Sequence, residues 1–502
     1  MSALLIRQSA PLPTGSGPAI LGMALLYAAV VAGIAIWAGR RTRTAKDFFV
    51  AGRGIGIWTL AIAAMAATLS GFAFIGGPGL LYTLGLGAMF IILPASLTNT
   101  MAAWVLAKRM RLLGELRGLI TVPDAIGARY RSPAAQGLAG IAILVAIVGY
   151  MATNVLALGL VVDAVFGTGL PAGIWIGTAV VLAYSAVGGM LAGVYTDVFQ
   201  GAVMALASVL AFGYAMGSGG GLSGISRTIL AADPGFLGPW GKLTPLAALS
   251  FFFVFGMGAL GQPHVVHKFY MLRDPLRLKW YPALMTAALM LTLLLYFGVG
   301  VAVKADVAAG TLAPLARADD ATPQFLLHHT PLLLAGLVFS GVAAAIMSTV
   351  NSFLNIGAAV VTHDLPVALG RRLPAELFWG RLSTVAISVL AAIVAQLSGT
   401  LVAFLGIFGW GLFASTLVPA LAVGLNWPGA TRAGAIASIL TGLVTTLGFE
   451  TAAYFKVYAF PAGVTVSGLS LVLSLLAFLG VSALTPGQAA EIDPDVRLVM
   501  EA

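Results

Sequence analysis

Stretches of about twenty apolar residues recur along the whole chain, each long enough to cross the hydrocarbon core of a bilayer as a helix. This feature restricts the fold more than any other. In lipid, every backbone N–H and C=O must be satisfied by the protein itself, which leaves helices or closed barrels. A barrel would alternate apolar and polar residues over ~10-residue segments, and these runs are continuous. The expectation is an all-α polytopic membrane protein, a single membrane domain over residues 1–502.

Composition narrows the function classes. Of the residues, 60% are hydrophobic and 9% charged, against about a quarter charged in a soluble domain. The net charge of +9 raises the question of nucleic acid, but the basic residues sit in short loops between apolar runs, where they orient a membrane protein. The expected partner is the lipid bilayer, with no nucleic acid and no obligate protein partner. There is no cysteine, hence no disulfide or thiolate metal site. Met1–Ser16 is short and polar, and the first apolar run continues into a full span, so no cleavable signal is expected.

Thirteen helices are predicted, at about residues 18–38, 55–80, 83–107, 135–164, 171–188, 190–217, 245–263, 278–303, 328–362, 378–398, 400–425, 431–451 and 462–484. An odd number puts the termini on opposite sides. With the N-terminus outside, only Arg7, Arg227, Lys242, Lys304, Arg317 and Lys456 of the 26 basic residues face out. All others face in, Lys268, Arg273, Arg277 and Lys279 among them. This bias predicts an inner (plasma) membrane protein, N-terminus outside and C-terminus cytoplasmic. The tail, 485–502, is short and mostly acidic.

Two spans carry helix-breaking residues. The second contains Ser70-Gly71 and Gly76-Gly77-Pro78-Gly79; the seventh contains Gly256, Gly258, Gly261 and Pro263. They lie five helices apart and could open two five-helix halves of opposite topology, at 55–217 and 245–425, flanked by a peripheral first helix at 18–38 and two peripheral helices at 431–484. Paired, interrupted spans point to a binding site at membrane depth, where freed carbonyls can hold a cation and freed N–H groups a carboxylate. Glycine and proline are also common in membrane helices generally.

The ninth span places Ala345, Ser348, Thr349 and Ser352 at i, i+3, i+4 and i+7, on one helix face flanked by Asn351 and Asn355. Hydroxyls and carbonyls suit a hard cation, although such residues also glue membrane helices together. Asp197 stands inside the sixth span, where a carboxylate is costly and is read as functional; its expected partners are the hydroxyls of the ninth span, a cation or a proton. The five histidines show no metal-ligand spacing, and no catalytic constellation is visible, so an enzyme is not expected.

KDFFVAGRGIGIW, ATLSGFAFIGGPG, SAVGGMLAGVYTDVFQG, GQPHVVHKFYMLRD and AAAIMSTVNSFLN, spread over about residues 45–365, together resemble the sodium/solute symporter family. Its members include carriers of proline, galactose, sialic acid, pantothenate and monocarboxylates. The resemblance implies a thirteen-helix transporter with a leucine-transporter-type core of two inverted five-helix repeats. It implies a sodium site made by the carbonyls of Ala66, Leu69 and Ala345 and the hydroxyls of Ser348 and Thr349. A second cation site, or a proton relay, would use Asp197, Asn351 and Ser352; serine is usual where Asn351 stands, so one bound Na+ is expected. The substrate pocket implied comprises Thr68, Ser70, Gly71, Phe72, Tyr150, Phe255, Met257, Ala259 and Gln262. Thr68, Phe255 and Ala259 depart from the aspartate, tryptophan and tyrosine of proline carriers. The expected function is sodium-coupled symport of a small carboxylate-bearing solute, an amino acid such as proline or a monocarboxylate. Proton coupling through Asp197, or a sensor on the same scaffold, are the alternatives.

Overall fold

The computed structural model describes residues 16–40, 51–185, 189–371, 373–399, 401–461 and 463–501. Lys46–Val50 and Ala186–Gly188, parts of two of the motifs, lie outside the described residues. Among the described residues there is no strand; one isolated bridge pairs Ile55 with Leu272. Eleven helices among the described residues are long and apolar enough to cross a membrane, and two shorter apolar ones cover Ile57–Thr68 and Leu170–Ala183.

In chain order, the elements used below are α1 (Ser16–Gly39), α2 (Ile57–Thr68), α3 (Gly77–Leu84), α4 (Met89–Ala102), α5 (Val122–Tyr130), α6 (Pro133–Phe166), α7 (Leu170–Ser185), α8 (Gly189–Ser218), α9 (Gly221–Ala232) and α10 (Pro245–Gly258). There follow α11 (Tyr281–Ala309), α12 (Ala321–His329), α13 (Leu332–Ala359), α14 (Glu376–Ser398), α15 (Val402–Leu417), α16 (Arg432–Tyr454), α17 (Val466–Leu484) and α18 (Pro494–Glu501).

Burial separates an inner set from a rim. The most apolar stretches of α6 and α13 are each 78% buried and that of α15 is 83%, whereas α1 reaches 22% and α14 28%. A helix apolar all round packs inward or faces lipid, so neighbours rather than hydropathy decide. α13 packs on α8, α1 and α6; α8 packs on α2 and α11; α15 packs on α6, α16 and α17.

Both predicted breaks are present. α2 ends at Thr68 because Leu69 is extended (φ −83°, ψ 122°), and a π-helical turn, Phe72–Gly76, leads into α3. The Gly71 N–H, freed by the break, donates to Asn154 Oδ1 on α6 at 3.0 Å. Gly71 is required there: a Cβ would stand 2.6 Å from the Ala157 Cβ. α10 ends at Gly258, a tight turn covers Ala259–Gly261, and Gln262 is extended (φ −75°, ψ 105°) before Pro263, which has no N–H to continue a helix. The chain then turns inward through Pro263–Val266 and His267–Met271, against α2 and α13.

The loop after α11 closes one end of the bundle. Thr322 Oγ1 donates to the Phe74 carbonyl at 2.7 Å, and the Val402 N–H at the start of α15 donates to Asp319 Oδ2 at 2.8 Å. Gly79 of α3 lies against the Ala318 carbonyl.

Candidate functional site

The break after α2 faces the polar face of α13. Thr349 Oγ1 lies 3.0 Å from each of three carbonyl oxygens, those of Ala67, Leu69 and Ala345. A hydroxyl has one hydrogen and two lone pairs, so it can satisfy one of the three. The other two approaches concentrate acceptor oxygen between two helices, the donor set a hard cation takes. Of the predicted sodium ligands, the structure brings Leu69, Ala345 and Thr349 together. The second carbonyl from α2 that meets Thr349 belongs to Ala67, one residue beyond the predicted Ala66, which is itself fully buried.

Ser348, beside Thr349, donates to Asp197 Oδ1 at 2.5 Å. Asp197 Oδ2 pairs with the Lys268 ammonium at 2.9 Å, and each of the two residues is 1% exposed. This corrects the sequence reading of Lys268 as a loop residue: the inward turn after Pro263 buries it. Asn351 packs its amide against α8, where a Cβ on Gly193 would stand 2.7 Å from Asn351 Nδ2, and it accepts from Asn355 at 3.3 Å. Ser352 is buried on the same helix.

Beside the break lies a small cavity of about 20 Å³, room for roughly one water. Thr68, Phe72, Tyr150 and Phe255 of the predicted pocket line it, while Met257, Ala259 and Gln262 do not. Gln262 instead turns its amide back to the Gly258 carbonyl at 3.0 Å. Ser70 and Gly71 sit just behind, Ser70 Oγ 3.3 Å from the Tyr150 hydroxyl and within 3.2 Å of the Phe72 N–H. Thr68 spends its hydroxyl hydrogen on Ala64 in its own helix.

Trp410 and Asn99 are among the lining residues that were not anticipated. Trp410 on α15 stacks on Phe255 (ring centroids 5.2 Å apart), which stacks in turn on Phe72 at 6.0 Å. The indole Nε1 of Trp410 and Oδ1 of Asn99, on α4, are buried without a hydrogen-bond partner. A buried polar atom left unpaired is costly, and here a donor and an acceptor belong to two residues that line one cavity. The sequence signal was a polar cluster, Ser96, Thr98, Asn99 and Thr100, in one apolar run and an indole in another.

Two groups of titratable side chains lie apart from the cavity. His363 Nε2 is 2.9 Å from Asp124 Oδ1, and Gln136 Nε2 reaches both Asp124 Oδ1 (2.8 Å) and Asp364 Oδ1 (3.0 Å), tying α5 to the end of α13. In the capping loop, burial pushes the Asp319 carboxyl up to about 7, the Val402 N–H opposing this in part and Asp320 adding to it. Asp319 Oδ1 has no partner.

Comparison with known proteins gives a consistent picture. The sodium:solute symporter family matches residues 48–442. The osmoregulated proline transporter OpuE of Bacillus subtilis is 28% identical over 480 residues, 93% of this chain and 94% of that protein. The sodium/pantothenate symporter of Escherichia coli is 26% identical over 468 residues, 90% and 94% of the two chains. In fold, the chain is similar to a Na+-coupled sialic acid symporter solved in a substrate-bound outward-open state, with TM-score 0.76, 18% identity, and coverage of 93% of this chain and 98% of that one.

Proposed function

The chain belongs to the sodium:solute symporter family, and from that premise we propose which residues carry sodium-coupled solute symport in this multi-pass plasma-membrane protein, and for what class of solute. Sodium binds where the break after α2 meets α13, at the carbonyls of Ala67 or Ala66, Leu69 and Ala345 and the hydroxyls of Thr349 and Ser348. The observation that carries this is the convergence of three carbonyls on Thr349 Oγ1 at 3.0 Å. Because the ligands come from two different helices, an ion there fixes their relative position, and the adjacent cavity is shaped only in that arrangement.

The solute is small, with an apolar body and a carboxylate: an amino acid such as proline, or a monocarboxylate. The stacked Phe72, Phe255 and Trp410 offer flat apolar walls. The Trp410 N–H can donate to a carboxylate oxygen, and Asn99 Oδ1 can accept from an amine or hydroxyl. A sugar would need more polar partners than this wall holds. The present cavity must widen to admit such a solute, as alternating access requires.

In this reading ten of the long helices are single spans, Phe72–Arg117 divides into two, the first part (with α3) joined to α2 as one broken span, and α7 supplies the thirteenth. The core is two inverted five-helix repeats, the N-terminus is outside and the C-terminus cytoplasmic. Coupling is reciprocal: the factor by which sodium tightens solute binding equals the factor by which solute tightens sodium. The test is uptake of labelled proline, alanine, acetate, pyruvate and pantothenate into proteoliposomes under an inward sodium gradient, and again under a proton gradient alone. Uptake of one of them with sodium only is expected. Uptake driven equally by protons alone would remove the Thr349 site from the mechanism.

A further inference from the structure

Asp197 is a buried carboxylate beside the proposed sodium ligands, and it already has a cation. We propose that the Lys268 ammonium is a built-in substitute for a second sodium ion at Asp197, so that this protein binds one sodium, at Thr349, where it would otherwise bind two. The proposal deepens the sodium-site reading above and rests on it.

The geometry assigns both carboxylate oxygens. Oδ2 faces Lys268 Nζ at 2.9 Å, and Oδ1 accepts from Ser348 Oγ at 2.5 Å. Lysine and sodium carry the same single charge, and the ammonium is a compact point charge, so one excludes the other at a site with one carboxylate. Asn351 packs its amide nitrogen against Gly193, one turn before Asp197 on the same face of α8, so this edge of the site presents a donor rather than a hydroxyl oxygen. Neither Lys268 nor Asp197 can reach water, since their side chains are 2% and 1% exposed. Removing the ammonium would leave a buried carboxylate uncompensated, which must take up another cation or a proton.

Ser348 links the two positions. Its hydrogen is spent on Asp197, so its lone pairs remain for an ion beside Thr349. The Lys268–Asp197 pair is therefore a positioning device: it holds a carboxylate charged and in place, and the carboxylate aims the Ser348 oxygen.

The test is equilibrium binding of ²²Na+ to purified full-length protein, with no solute present. Wild type is expected to bind one ion and Lys268→Met two, with the second lost again in Lys268→Met/Asp197→Asn. Thr349→Ala should weaken binding of the wild-type ion about tenfold, while Lys268→Met/Thr349→Ala weakens only one of its two. Two ions on wild type, or a single ion with unchanged affinity on Lys268→Met, overturns the proposal. If Lys268→Met does not fold, Lys268→Gln, which can still hydrogen-bond Asp197, is read the same way. Unchanged sodium affinity of Thr349→Ala in the wild-type background would instead remove the Thr349 site, an outcome distinct from the count on the Lys268 variants.

Discussion

Thr349 Oγ1 and the carbonyl oxygen of Leu69 lie 3.0 Å apart, although 280 residues separate them in the chain. The contact joins the break after α2 to the middle of α13, and an ion bound at these oxygens would join them more firmly. Thr349→Ala removes one ligand and the pin together. The sodium concentration for half-maximal uptake should rise about tenfold, or about 1.4 kcal/mol, while Thr349→Ser stays near wild type. Sodium titration of uptake at saturating solute checks this; equal sodium dependence in both variants would clear Thr349 of the role.

The pocket wall makes a separate prediction. Trp410→Phe keeps a ring against Phe255 and removes the unpaired indole N–H. If that N–H donates to the solute, its loss costs about 1–2 kcal/mol, a roughly 5- to 30-fold rise in the solute KM. Sodium dependence measured at saturating solute should barely move. Asn99→Leu should act likewise through its Oδ1. A wild-type KM in both variants would mean that neither atom meets the solute.

How much of this was legible in the sequence follows from which residues stood out against their surroundings. Ser348 and Thr349 recur at helical spacing in an apolar run, and Asp197 is a charge inside one, so each is conspicuous locally. The breaks at Ser70-Gly71 and before Pro263 were legible because glycine and proline act on the backbone itself. Lys268 was not, because it follows the second break in a stretch that reads as a basic loop, and only the inward turn of Pro263–Met271 buries it. Asn99 and Trp410 were hidden for the opposite reason: small polar residues, as in Ser96, Thr98, Asn99 and Thr100, and a lone indole are common in membrane helices. Met257, Ala259 and Gln262 were placed by resemblance, and the tight turn at Ala259–Gly261 leaves them off the cavity wall. Spacing along a regular helix can be read from sequence, whereas the direction in which a broken helix resumes depends on what it packs against.

The capping loop should respond to pH. Asp319 titrates near 7 when buried beneath the loop, and at about 4 once the loop lifts and water reaches it. A raised carboxyl means that the closed arrangement holds the proton more tightly than the open one. Its stability is therefore full below about pH 4, falls as pH rises toward 7 and is lowest above that. The chain has no cysteine, so Ala73→Cys, on the cavity wall, can be labelled with a maleimide in purified protein without background. Labelling should accelerate between pH 5 and about 8 more steeply than in Ala73→Cys/Asp319→Asn, whose amide does not titrate; the shared thiol chemistry cancels in the ratio. Parallel profiles would exclude Asp319 as the group responsible.

Two glycine-to-alanine changes should have opposite signs. At Gly71 a Cβ would stand 2.6 Å from the Ala157 Cβ and 3.3 Å from Ile346 Cγ1, so alanine must push the break away from α6 and α13 together. Overpacking of this kind costs about 1–3 kcal/mol. It also strains the hydrogen bond from the Gly71 N–H to Asn154 that orients the Leu69 carbonyl's neighbours. Gly71→Ala should lower the thermal unfolding midpoint and weaken sodium and solute binding together, since both sites share the displaced backbone. At Gly213, on the exposed side of α8, nothing lies within 4 Å of a Cβ. There alanine should only stiffen the helix, adding about 0.5–1 kcal/mol with transport unchanged. Thermal melts with sodium titrations on the two variants separate the cases. A Gly71→Ala protein that melts and binds like wild type would show that the break sits more loosely on α6 than these distances state.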